Sequence, residues 1–275
     1  MLRLDRRGRI GLLVLTLVTA GALFAPVVAP VDPDAQRDVV ATRFLPPLTS
    51  DAHGIFHPLG TDRLGRDVWS RLVYGARVSL AVGALAMGIS LVIGIGVGTA
   101  AAAGPRPLRT LLLGTTDFAL GLPRVVLLLL LAALWQPSAL LIIVVLGVTG
   151  WMPVARLVHA EVRTQLARPY VEAATALGAA PLRILARHAL PNALAPVIAL
   201  ATLGVGNAIT LEAGLSFLGL GVQPPAASWG TMIASGRDTA VNAPWVGLAP
   251  GIALVLVVVG CTLLADAVQD AVQER

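Results

Sequence analysis

Six stretches of this chain are long and apolar: about 10–29, 78–103, 110–134, 138–157, 191–210 and 245–265. A hydrocarbon core about 30 Å thick takes roughly 20 such residues in helical form, and a helix satisfies its own backbone polar groups there. The expected fold class is therefore an all-α polytopic membrane protein with six transmembrane helices. Composition agrees: 56% of residues are hydrophobic and only 13% charged, at a mean hydropathy of +0.82, well beyond what a soluble domain needs.

Six spans put both termini on one side. Arg3, Arg6, Arg7 and Arg9, the turn 104–109 with Arg106 and Arg109, and the Arg-containing segment 158–190 point that side to the cytoplasm. The segment 30–77 is then external, although it carries Arg37, Arg43, Arg63, Arg66, Arg71 and Arg77. The first apolar stretch is longer than a signal-peptide h-region and is followed by weak cleavage signals, so it reads as an uncleaved span. The expected organisation is a cytoplasmic N-terminus over 1–9, a first span and external segment over 10–77, a transmembrane core over 78–268 and a cytoplasmic C-terminus over 269–275.

All twenty basic residues are Arg. A P-loop needs a Lys on the nucleotide phosphates and Schiff-base chemistry needs a Lys amine, so the chain carries neither, and any ATP hydrolysis belongs to another subunit. The formal charge of +5 follows membrane topology and makes no continuous basic face for nucleic acid. The single Cys261, in an apolar run, reads as packing. Gly94, Gly96 and Gly98 imitate a dinucleotide loop but lie inside an apolar span, where Gly94 and Gly98 fit helix packing. His53 and His57 are four apart, yet Gly54 and Pro58 argue for a loop, so no metal site is expected. Nothing pairs a nucleophile with a base.

Between the fourth and fifth apolar stretches the pattern is helix, break, helix. Pro169 suits a first helical turn, Tyr170, Ala173, Ala174 and Leu177 share a face, and Gly178 supplies a stop. Pro181 opens a second helix in which Leu182, Leu185, Ala186 and Ala189 form an apolar stripe, with Arg183 and Arg187 on another face. Such a helix fits either a lipid-headgroup surface or a protein partner. Asp117 and Arg124 stand within the third stretch beside Pro123, where charges must face protein or water, and Asn207 and Glu212 are weaker candidates for lining a pathway. The run 211–244 is too rich in Gly and Pro for a span, and its part 215–230 reads as a re-entrant turn covered by protein or a water-filled cavity.

The spacing from Glu172-Ala173-Ala174 through Gly178 to Leu190-Pro191 resembles the EAA motif of ABC importer permeases, with His188 as a departure that also resembles the peptide-importer branch. Leu59-Gly60-Thr61-Asp62-Arg63-Leu64-Gly65-Arg66-Asp67 and Leu215 to Pro225 followed by Ser228-Trp229-Gly230 are similar to the C-type permease subunit of dipeptide, oligopeptide and nickel importers. The tail Cys261–Asp266 departs from that family, which commonly has Asn and Gly there.

The resemblance implies the type I importer permease fold, a bacterial inner-membrane location, and a coupling helix over 158–190 that docks on an ATPase. It implies as partners a second homologous permease subunit, two ATPase subunits or domains holding ATP and Mg, and an extracytoplasmic solute-binding protein; this chain would hold no cofactor. The expected function is half of a translocation pathway for di- or oligopeptides. A nickel or other small-solute importer is an alternative, and an ion-coupled secondary transporter using Asp117 and Arg124 is another. From the residues alone, Asp62, Arg63, Arg66 and Asp67 read better as a salt-bridged turn than as a solute site.

Overall fold

The computed structural model describes residues 5–36 and 38–273. Arg3, Arg37 and Arg275 lie outside them. A helix α1 (Arg6–Leu23), capped by the Asp5 carboxylate on Gly8 N, leads into the single turn α2 (Ala25–Val28). A short helix α3 (Val39–Thr42) and a two-stranded antiparallel hairpin, β1 (Thr49–Ser50) with β2 (Phe56–His57), then precede α4 (Val68–Ala103). In that hairpin Thr49 pairs with His57 and Ser50 with Phe56. Asp67 caps α4 by accepting from Ser70 N, so the helix starts ten residues before the expected Val78, and its 36 residues reach about 54 Å.

The third apolar stretch is not one straight span. It is α5 (Arg106–Gly121) and α6 (Arg124–Leu134), bent by 82° at Leu122-Pro123. Pro123 lacks the N–H that continues a helix and drives Leu122 into extended backbone, at ψ 135°. The fourth stretch is α7 (Ala139–Val148) continued after Thr149-Gly150 by α8 (Trp151–Leu166), together one candidate span of 28 residues, and α8 takes up the first nine residues expected in the 158–190 loop.

Then come α9 (Pro169–Ala176), α10 (Pro181–Ile184), a π-helical turn over Leu185–Ala189 and α11 (Leu190–Phe217). A widened turn just before Pro191 accommodates a residue that can donate no backbone hydrogen bond, and the Asn192 amide donates to the His188 carbonyl at 2.8 Å. Of the expected stripe Ala189 is buried and Leu185 half-buried, while Leu182 and Ala186 are exposed and Ile184, outside the stripe, is buried. The chain closes with α12 (Trp229–Arg237) and α13 (Trp245–Gln273). Two boundaries move outward. Helix α11 continues through Leu211–Phe217, expected to be broken, and α13 runs into the expected 269–275 tail.

Among the described residues four helices are long and apolar enough to cross a membrane, and the bent α5–α6 pair makes a fifth. Helix α4 packs on α1, α7, α8 and α11, and α13 packs on α1, α11 and α12. Small residues set these crossings. A Cβ on Gly94 would stand 2.5 Å from the Val154 Cβ, and one on Gly98 would stand 2.5 Å from the Ala155 carbonyl, so α4 and α8 meet nearly backbone to backbone. Cys261 is buried against Gly206, which places close packing at the tail position where the family pattern departs. Two apolar clusters fill the centre, one around Val82, Ala86, Ile142 and Leu146, the other around Met87, Val154, Val158 and Val197.

Candidate functional site

Three groups of the sequence-selected residues fall at separate places. The first is the segment from α9 to the start of α11. Gly178 has φ +82°, Gly178 N donates to the Thr175 carbonyl and Ala179 N to the Ala174 carbonyl. That paired bonding closes α9 and needs a left-handed residue at the glycine position. No residue of α9 is buried, and Leu177 and Leu182 are 89% and 75% exposed. Glu172, Arg183, Arg187, His188 and Pro191 are exposed as well, and Ala173 with them, while Ala174 and Leu190 are half-buried. The Tyr170 hydroxyl bonds Gln165 Oε1 at 3.1 Å, holding α9 to the end of α8. The segment thus presents two large apolar side chains and two Arg on a short, well-capped turn.

The second group is the turn before α4. The Asp62 carboxylate accepts from Leu64 N at 2.8 Å, Arg66 N at 3.0 Å and Arg66 Nε at 2.7 Å, all with little solvent access. Gly60 and Gly65 take φ of +71° and +72°, and Thr61 pairs with Asp67 across the turn. Thr61 Oγ1 donates to the Thr42 carbonyl and accepts from Leu45 N. Asp67, besides capping α4, bonds His57 Nδ1 at 2.8 Å, and His57 is buried while His53 is exposed. Burial alone would raise the Asp51 carboxyl, but the N–H groups of Ile55 and His53, with the nearby imidazoles, hold it below the usual carboxylate range. Asp62 and Arg66 satisfy each other, and the turn orders the entry to α4.

The third group is in the helix bundle, and it divides. Asp117 of α5 accepts from Arg156 Nε of α8 at 2.9 Å, both side chains about half exposed, so Asp117 and Arg124 do not pair. Glu212 lies fully buried between α4, α11 and α12. Ser79 Oγ donates to it at 3.0 Å and Ser216 Oγ at 2.7 Å, while Ser79 Oγ in turn accepts from Trp229 N and Ser216 Oγ from Val222 N. These hydroxyls fold the 215–230 stretch back onto the bundle. Glu212 is sealed in this knot. Ser79 was not singled out in the sequence, since it stands 133 residues from Glu212 and no spacing rule links them; Ser216, one turn after Glu212, could have been.

Arg124 and Asn207 do come together. Both line a cavity of about 160 Å³ with Met87, Ser90, Leu146 and Leu203. Arg124 Nη2 donates to the Leu146 carbonyl at 3.3 Å, and its buried Nε has no acceptor. Asn207 is exposed, and with Leu203, Thr210 and Gly214 it makes an open stripe along α11. An arginine at the break of a bent apolar pair beside an exposed Asn is unsuited to lipid and calls for protein or water opposite.

Residues 90–275 match the family described as binding-protein-dependent transport system inner membrane component, and residues 1–47 match the N-terminal transmembrane domain of oligopeptide transport permease C. The chain belongs to the inner-membrane permeases of binding-protein-dependent transport systems.

This permease is 41% identical over 266 residues to the di/tripeptide transport system permease protein DppC of Pseudomonas aeruginosa, covering 96% of this chain and 87% of the relative. It is 40% identical over 276 residues to a putative peptide transport system permease protein of Brucella suis, covering 99% and 90%. The permease fold is also similar to a chain of the MetNI methionine ABC transporter in an inward-facing conformation, with a TM-score of 0.60 at 22% identity over 74% of this chain and 95% of that one. As a transport permease it is a membrane component and not an enzyme.

Proposed function

We propose that this permease forms half of the translocation pathway of a bacterial importer for di- or oligopeptides. The observation that carries the substrate class is the 40–41% identity, over nearly the whole chain, to relatives named as peptide permeases. In this reading α1 is the first of six spans despite the arginines at its start, and the bent α5–α6 pair is the third. Both termini are then cytoplasmic, and the turn 60–67 and helix α12 lie outside.

The segment 169–191 is the docking element for the ATPase. Its support is local: a capped helix without one buried residue, a glycine-dependent turn, and exposed Leu177 and Leu182 offered to a cleft in another subunit. Glu172, Arg183, Arg187 and His188 surround them, and Leu190-Pro191 begin the helix that carries the motion into the membrane. Two ATPase subunits holding ATP and Mg, a second permease and an external solute-binding protein complete the system.

Co-purification with the partner subunits, followed by identification of the solute held by the binding protein, tests this directly. Peptides of two to several residues are the expected cargo; a metal chelate or a sugar as the sole cargo would overturn the substrate class.

A further inference from the structure

Among the described residues Arg124 is the one charged side chain that lines the cavity between α4, α6, α8 and α11. Its guanidinium is buried in part, faces no carboxylate among the described residues, and leaves Nε without an acceptor. A buried donor without a partner is costly, and a guanidinium in apolar surroundings calls for an anion, which it binds best as a planar two-oxygen group. Around it the cavity offers the Asn207 amide at its exposed side, the Ser90 hydroxyl, whose proton is engaged by the Gly147 carbonyl at 2.9 Å, and otherwise apolar side chains. A water needs only roughly 10–15 Å³ on this measure, so about 160 Å³ has room for a carboxylate with its adjoining atoms.

We propose that Arg124 is a carboxylate-binding point in the pathway and takes the C-terminal carboxylate of a peptide in transit, with Asn207 beside it as a second polar contact. This rests on the peptide reading above. Every unmodified linear peptide has that carboxylate whatever its side chains, so one fixed cation recognises the class without selecting a sequence. Leu146 O and the helix break at Pro123 hold the guanidinium in place, while the apolar remainder of the cavity gives side chains no specific partner. The contact is to be weak enough to leave, because a pathway that binds tightly does not deliver.

The test uses the complete complex of both permeases and the ATPases, without the binding protein, carrying Leu203→Cys, at an exposed residue of the cavity lining that leaves Arg124 and Asn207 in place, and Cys261→Ser. Mixed-disulfide formation at the introduced thiol, with release of methanesulfinate, is timed with an anionic and a cationic methanethiosulfonate reagent, then with a dipeptide or its C-terminal amide as competitor. The anionic reagent should be favoured about tenfold over the cationic one, relative to their rates on a free thiol, a ratio equivalent to about 1.4 kcal/mol. The free-acid dipeptide should slow labelling and the amide should not. Arg124→Gln should abolish both preferences, and Arg124→Lys, which keeps the charge, should retain part of each.

Equal protection by acid and amide, or preferences unchanged in Arg124→Gln, would overturn the proposal, as would the absence of any anionic preference, the result expected if an acid of the second permease neutralises Arg124. Uptake by the full system containing the wild-type chain separates the two claims. No peptide uptake rejects the peptide reading, whereas peptide uptake without acid-selective protection rejects only the carboxylate site.

Discussion

At position 178 a β-branched side chain conflicts with a backbone at φ +82°. The cost is on the order of 1–3 kcal/mol for a strained residue. A Cβ there would meet nothing within 4 Å inside the chain, so Gly178→Val acts through the turn and whatever docks against it, not through a clash in the bundle. The variant should insert and assemble, while solute-stimulated ATP hydrolysis and uptake in reconstituted vesicles both fall severalfold. Pull-down of the ATPase and initial-rate assays check this, and normal uptake by an assembled variant would remove the coupling role. Glu172→Ala should be milder, since it takes away one exposed carboxylate and leaves the backbone path intact.

Among elements, the joint between α4, α11 and α12 is held by a few polar atoms in an apolar bundle. Ser79 Oγ joins Glu212 and Trp229 N, so one hydroxyl touches all three helices. Interhelical hydrogen bonds in membranes contribute about 0.6 kcal/mol each, and leaving a buried group unsatisfied costs about 1–3 kcal/mol. Ser79→Ala should therefore destabilise the detergent-solubilised protein by about 1–3 kcal/mol in thermal unfolding, and Ser79→Thr should recover part of the loss. A Ser79→Ala protein as stable as wild type would show that the knot carries no structural role.

The same contrast explains what the sequence made legible. Hydropathy located the apolar stretches, and the Pro169, Gly178 and Pro181 punctuation located α9, its stop and α10, because these signals are local. The charges of Asp62, Arg63, Arg66 and Asp67 read as a salt-bridged turn, of which the structure forms the Asp62–Arg66 pair, while Asp67 bonds His57. Hydropathy averages over residues and is blind to direction, so the 82° bend at Pro123 passed as a continuous span. The π-turn before Pro191 is likewise a feature that a 3.6-residue period does not contain. Glu212 and Asn207, five residues apart on one helix, were grouped as pathway candidates, yet one is sealed by Ser79 and the other exposed beside Arg124, a distinction made only by the partners of α11.

For the whole molecule, the reading of six spans places the hairpin 49–57 and the segment 169–191 on opposite faces of the membrane. Single thiols introduced as Ala52→Cys and Ala179→Cys, each with Cys261→Ser, should label from opposite sides in oriented vesicles, and labelling from one side would reject the topology. The molecule itself contains no Lys and thus no P-loop, so in the proposed reading ATP is hydrolysed by a partner. That makes the energy source the most direct measure of the account. Peptide uptake should be measured in vesicles holding this chain with its second permease, ATPases and binding protein, with ATP or an ion gradient supplied separately. The account predicts uptake that requires ATP and the ATPase subunits and persists when the ion gradient is collapsed; uptake driven by the gradient without the ATPases would contradict it.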